Sequence, residues 1–207
     1  VYAFKDPAFA RTLDAITDLR LPSGANLDAL SWVRPGLFYV SFANTSVTVP
    51  GFGAALDEQV LKYEDGAWSL YFDGATCGLN VDGNGDIDAI AVAGDALYFS
   101  TLGNLSVSGL GAADDGDVYA WAQGAANCTR VLDASALGLL AHADIDGLDL
   151  QEGRFYLSFD RDTGTTVPVL GTVQDETVVT YDPASRSWSV FFLGAELVVR
   201  RRRRLAD

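Results

Sequence analysis

Apolar residues come in short runs of four or five along this chain, interleaved with polar positions and broken by Gly, Asp and Asn. Phe38-Tyr39-Val40-Ser41-Phe42, Val60-Leu61-Lys62-Tyr63 and Trp68-Ser69-Leu70-Tyr71-Phe72 are representative. Runs this short, rich in β-branched and aromatic residues and bounded by turn formers, predict strands. No stretch longer than about ten residues holds a 3.6-residue apolar period. The best helical segment, 9–19, fits a strand better.

The runs repeat. Asn26-Leu27-Asp28-Ala29-Leu30 matches Asp86-Ile87-Asp88-Ala89-Ile90 and Asp144-Ile145-Asp146-Gly147-Leu148, so the second acidic position recurs after 60 and then 58 residues. The second strand of each unit is read at Phe38–Phe42, Leu97-Tyr98-Phe99-Ser100-Thr101 and Phe155-Tyr156-Leu157-Ser158-Phe159. A Val/Gly-rich connector follows in each unit, at 49–53, 107–111 and 167–171, and then acidic residues at Asp57-Glu58, Asp115 with Asp117, and Asp175-Glu176. Third strands are read at Val60–Tyr63, Val118-Tyr119-Ala120-Trp121 and Val178-Val179-Thr180-Tyr181. Fourth strands are read at Trp68–Phe72, Thr129-Arg130-Val131-Leu132 and Trp188-Ser189-Val190-Phe191-Phe192. The N-terminus supplies a further half unit: Val1-Tyr2-Ala3-Phe4 matches the third strand and Arg11-Thr12-Leu13-Asp14 the fourth.

Four strands in each tandem repeat of about 60 residues predict an all-β, β-propeller-like fold. A stacked solenoid or a row of small sandwiches are its rivals. The expected organisation is one repeat-built β domain over 1–199, with a half unit at 1–24 and units at 25–81, 82–141 and 142–199, followed by a basic tail at 200–207. About 3.5 units do not close in the usual way, and open sheet edges invite pairing with other chains. The hairpins regroup, or further residues precede the sequence shown, or the half unit pairs with another molecule.

The pattern Phe72-Asp73-Gly74-Ala75, Gly78-Leu79, Asp86–Ile90, the Val-Pro-Gly-like connector, and an acidic pair before a Val-x-x-Tyr/Trp strand resembles the tandem repeats of uncharacterised secreted bacterial proteins. The resemblance covers nearly all of residues 1–199. It implies an exported, multi-repeat β protein, secreted or displayed on a bacterial surface, and implies no activity. Proteins of this kind often carry a C-terminal sorting tail, an apolar helix followed by an arginine cluster. The arginine run after β-rich segment 190–199 resembles that cluster, although 190–199 is too short and irregular to be the helix.

Charge narrows the partners. The net charge is −14 over 207 residues, which disfavours nucleic acid because phosphates are repelled across most of the surface. Arg200, Arg201, Arg202, Arg203 and Arg204 break the trend; without them 9 basic residues face 28 acidic ones. The run is a candidate partner-binding segment for an anionic surface, a headgroup or the acidic face of a neighbouring chain, or else a solvated tail. No apolar run approaches the roughly 20 residues that span a bilayer. No signal peptide is visible, and a chain beginning at Val1 is read as a processed or truncated product. Cys77 and Cys128 are either a disulfide or two buried thiols, their pairing requiring adjacent sheets to stack side by side. Asn44, Asn104 and Asn127 head N-x-[ST] sequons.

Candidate chemistry is sparse. The only histidine, His142, sits in a linker, no G-x-S-x-G surrounds a serine, and no phosphate-loop or zinc motif is present. The chain is therefore read as non-enzymatic. One metal motif stands out: Asn80, Asp82, Asn84, Asp86 and Asp88 place oxygen ligands on alternate residues around a Gly turn, the opening of a calcium loop. It lacks the closing Glu, since Ala91 stands there, and a strand-capping turn uses the same residues. The recurring acidic pairs are read as structural, rather than as a glycosidase pair. Tyr39, Tyr98, Tyr156, Tyr63, Trp121 and Tyr181 are read as core, rather than as a ligand groove. Three functions stay open: a self-associating extracellular structural module (homo-oligomer or filament subunit), a glycan- or protein-binding propeller, and a calcium-dependent hydrolase.

Overall fold

The computed structural model describes residues 2–5, 8–11, 13–43, 45–81, 85–103, 106–112, 114–140, 142–160 and 164–194. An N-terminal hairpin, β1 (Tyr2–Lys5) with β2 (Ala8–Arg11), precedes three units of six strands each. The first unit holds β3 (Leu27–Arg34), β4 (Leu37–Phe42), β5 (Val47–Val49), β6 (Gly53–Ala55), β7 (Gln59–Glu64) and β8 (Ala67–Asp73). The second holds β9 (Ala89–Ala93), β10 (Ala96–Ser100), β11 (Ser106–Val107), β12 (Gly111–Ala112), β13 (Val118–Ala122) and β14 (Thr129–Leu132). The third holds β15 (Ile145–Gln151), β16 (Arg154–Phe159), β17 (Thr165–Val167), β18 (Gly171–Val173), β19 (Thr177–Asp182) and β20 (Ser187–Leu193).

In every unit the first, second, fifth and sixth strands form one antiparallel meander, the blade: β3-β4-β7-β8, β9-β10-β13-β14 and β15-β16-β19-β20. The middle pair is a separate small hairpin set between the second and third blade strands. The Val/Gly-rich pattern of this segment predicts a connector between strands, with no strands of its own. Its strands of two or three residues are too short to show a period. The turn at its tip uses glycine at positive φ in the first two units, Gly51 at 77° and Gly109 at 78°. In the third unit Val169 occupies that position at φ 62°, and it is 91% exposed.

All three blades carry a β-bulge at the same place, where Tyr71, Val131 or Phe191 is the extra residue of the fourth strand opposite Val60-Leu61, Val118-Tyr119 or Val178-Val179. A bulge puts two residues against one partner and breaks strict alternation. On the third strand ordinary alternation holds: Val60 and Leu61, and Val118 and Tyr119, are consecutive buried residues facing opposite neighbours. The cores lie between blades rather than within them. Tyr39, Val60 and Phe72 of blade 1 pack on Ile90, Leu97, Phe99 and Trp121 of blade 2. Ala89, Val118 and Leu132 of blade 2 pack on Phe155, Leu157, Val179 and Tyr181 of blade 3. The leading face of blade 1 is covered by the segment after the N-terminal hairpin, through Leu19 and Leu21. Most of the recurring aromatics are therefore packing residues.

Cys77 and Cys128 are bonded, with Cα atoms 5.6 Å apart, and the bridge joins blade 1's exit turn to blade 2. Ser108 N donates to Cys77 O at 3.0 Å, holding the two segments side by side. In the chain-entropy view, a crosslink spanning 51 residues stabilises by about 4 kcal/mol. The same exit turn is capped alike after the fourth strand: Asp14, Asp73 and Asp133 each accept a following backbone N–H within 3.0 Å.

Candidate functional site

The first strands of the blades, β3, β9 and β15, pack on one another about a common axis. This follows from the repeat, because the residues before each first strand are bonded to the preceding blade. Ile87 N donates to Asp57 O at 3.2 Å and Ile145 N to Asp115 O at 3.4 Å, so the acidic turns of the first two units meet the next unit's Asp-x-Asp. The two recurring acidic sets are thus one feature. Asp28, Asp86, Asp88, Asp144 and Asp146 gather there, with Asp57 and Asp115 alongside.

The electrostatics are severe. Burial, then the charges of Asp28 and Asp57, push Asp86 up to about 7. Burial, then Asp144, holds Asp88 well above the usual carboxylate range. Burial raises Asp144 to about 6 against a hydrogen bond shared with Asp88, which lowers it, and the charges of Asp115, Asp160 and Asp146 add to the rise. Asp146 is better provided for, accepting from Ser158 Oγ at 2.7 Å. Of the five residues of the expected calcium loop, Asp86 and Asp88 are in this cluster and Asn80 lies in a short 3-10 turn. Asp82 and Asn84 lie outside the described residues. Among the described residues no three acidic, His or Cys groups already converge on one metal position. The alternate-residue pattern pointed along one loop. Spatial neighbours of Asp88 come from the other two blades, Asp28 and Asp144, a signal that lies in the recurrence of the Asp-x-Asp at spacings of 60 and 58.

The second feature is a face. Phe72, Leu132 and Phe192 are equivalent, each paired with the valine before the bulge. Phe72 is 1% exposed and Leu132 2%, but Phe192 is 38% exposed and its neighbour Phe191 65%. In blade 1 the corresponding rings are capped by Trp121, with centroids 5.7 Å from Tyr71 and 5.0 Å from Phe72. Blade 3 keeps the ring pair, Tyr156 against Phe191 at 5.0 Å where blade 1 has Tyr39 against Tyr71 at 4.5 Å, without the cap. Val190 and Leu193 extend the exposed apolar strand. Arg200, Arg201, Arg202, Arg203 and Arg204, which follow it in sequence, lie outside the described residues.

The remaining candidates separate. Asp117 is structural: fully buried, it accepts from Arg130 Nη1 at 3.0 Å, Tyr119 Oη at 3.2 Å and Ala134 N at 2.9 Å. Its register partners in the other units are Gln59 and Thr177, not the second members of the acidic pairs. His142 is on the surface beside Asp115. Asn127 is exposed next to the disulfide, while Asn44 and Asn104 lie outside the described residues. A partly open hollow is lined by Asp18, Arg20, Pro50, Tyr63 and Trp68. Among the described residues no helix is long and apolar enough to cross a membrane.

Repeated four-stranded antiparallel meanders, packed face to face around a common axis by their first strands, define an all-β, propeller-like fold. Among the described residues, hairpin β1–β2 pairs with no strand of the third blade. No family model matches the chain, and no curated protein matches it. Similar solved structures include the WD40 β-propeller domain of Doa1 (9% identity, TM-score 0.38, 81% of this chain and 40% of that one). YCF48 bound to D1 peptide shares 11% identity at TM-score 0.37, over 82% of this chain and 54% of that one. YjhT shares 10% identity at TM-score 0.41, over 82% and 52%. The chain spans about half or less of the length of these structures, and the propeller-like fold stands on the blades' own topology.

Proposed function

We propose that the protein is a non-enzymatic structural module that self-associates head to tail, the exposed face of blade 3 receiving the N-terminal half unit of a second copy. One observation carries the reading: Phe192 is exposed where its equivalents Phe72 and Leu132 are buried under the next blade. The natural cover for such a face is a strand pair of the same repeat. In the half unit the position of Trp121 is taken by Phe4. With Phe191 65% and Phe192 38% exposed, covering the two together is worth about 1.5–3 kcal/mol. Five arginines follow β20 in a chain otherwise rich in acid, which favours contact with a second copy's acidic body. A heterologous contact of this kind builds rings or filaments. The disulfide fits an oxidising compartment and supports a location outside the cell.

The test is a photo-cross-linking amino acid at position 192 of the 207-residue chain. Self-association through this face gives intermolecular products joined to the segment around Phe4. Products joined elsewhere on the second copy, or none, contradict it. A glycan- or protein-binding propeller is the second reading, favoured by the hollow where Tyr63 and Trp68 present aromatic rings beside Asp18 and Arg20. It predicts a monomer whose ligand binding is lost in Trp68→Ala.

A further inference from the structure

The axial carboxylates are a poor arrangement for a protein that binds nothing there. Asp88 is only 7% exposed, and both of its carboxylate oxygens are shielded from solvent without a hydrogen-bond partner. Asp86 Oδ1 and Asp144 Oδ1 are in the same state. Ionised carboxylates buried unpaired cost several kcal/mol each, so such groups are neutralised or held by a cation. A proton shared between Asp88 and Asp144 joins that pair in a hydrogen bond, yet the second Asp88 oxygen and Asp86 Oδ1 stay unmatched. The charged groups acting most strongly on Asp86 and Asp88 are carboxylates. Arg34, Lys62, Arg130 and Arg154 are each paired with other acids.

The residues come from three blades: Asp28 on β3, Asp88 at the start of β9, and Asp144 at the start of β15. Asp88 couples to both of the others. We propose that the axis holds one calcium ion, bridged by Asp28, Asp88 and Asp144, which ties the three blades together at their first strands. The donors are all hard oxygens, with no His or Cys among them, which selects calcium over zinc or copper. Burial and an irregular donor set suit calcium's flexible shell of six to eight oxygens better than the octahedron magnesium demands. Because three carboxylates do not yet converge on a point, the ion draws Asp28 in by rotation about its side-chain bonds, and backbone carbonyls and water complete the shell. The site is independent of self-association at blade 3.

The experiment is calorimetric titration of the chelator-stripped 207-residue chain with calcium chloride. The expected result is one ion per chain, with Asp88→Asn and Asp28→Asn each weakening binding by about tenfold or more, a loss at least as large as outer-shell changes cause, while Asp82→Asn leaves it unchanged. Calcium should also raise the melting temperature of the wild type but not of these two variants, as binding to the folded state alone requires. If Asp88→Asn does not fold by circular dichroism, Asp28→Asn carries the comparison. No binding at millimolar calcium, or binding insensitive to both axial substitutions, overturns the proposal. Loss of binding in Asp82→Asn alone also overturns it, because the ion would then sit in the loop over 80–88.

Discussion

Blade 1 and blade 3 present the same face to different surroundings. Each carries a tyrosine on the second strand, a valine on the third, and on the fourth an aromatic pair whose first member is a bulge residue. In blade 1 that face meets Phe99 and Trp121 and disappears into a core. In blade 3 the same face shows Phe191, Phe192 and Leu193 to solvent. The difference teaches that the apolar pattern of a repeat encodes a demand for a neighbour, not the neighbour itself. A face built to be covered, yet open, is an adhesive surface.

The sharpest way to break this comparison is to remove the cap. Trp121→Ala is expected to cost about 3–5 kcal/mol, because it empties the space over Tyr71 and Phe72. Phe191→Ser should change monomer stability by less than about 0.5 kcal/mol, as exposed sites do. Urea unfolding of both variants at low protein concentration checks the contrast; equal losses would mean that blade 3's face is already covered. Next in size is the staple across the covered junction. Cys77→Ser with Cys128→Ser is expected to cost about 2–4 kcal/mol, read from the shift in urea midpoint.

The axis, shared by covered and open blades alike, gives a pH signature in calcium-free protein. Asp86 rises to about 7 and Asp144 to about 6 from an ordinary value near 3.8. A carboxyl raised on folding is protonated in the folded chain while the unfolded chain has already ionised. Its stabilising contribution is therefore complete below about 4 and is lost as pH rises to about 7. Asp28 from β3, Asp57, Asp88, Asp115, Asp146 and Asp160 face the same region, with His142 beside Asp115 acting in the opposite sense. Asp133 and Asp182 move the other way, but both are near the surface. The urea midpoint should be higher at pH 5.5 than at pH 8. The smallest expected effect is at the hairpin tip, where blade 3 is again the odd one. Val169→Gly should stabilise by about 1 kcal/mol, because a β-branched residue at positive φ is strained where Gly51 and Gly109 are not. Thermal melting of that variant checks it.

Much of this was legible beforehand. The strands at 38–42, 60–63 and 68–72 and their counterparts were readable because alternation in a half-buried strand is written locally. The half unit's first strand was readable because Phe4 stands 59 residues before Tyr63; its second, expected over 11–14, is β2 at Ala8–Arg11. The connector's hairpin was not, since two-residue strands have no period. The pairing of Cys77 with Cys128 was left open, because it depends on how one blade lies against the next. The axial cluster was half legible: 28, 88 and 146 stood out by spacing, but Asp57 and Asp115 meet Asp86 and Asp144 only through the packing of successive units. Periodicity tells which face is apolar. It carries no information on what stands opposite.

The central claim is that blade 3's open face binds a second copy, and sedimentation velocity over a hundredfold dilution series tests it most directly. Head-to-tail association predicts species larger than the 22.0 kDa chain that dissociate on dilution and are absent in Phe191→Ser. A 22.0 kDa monomer at every concentration, or assembly that survives Phe191→Ser unchanged, would contradict it.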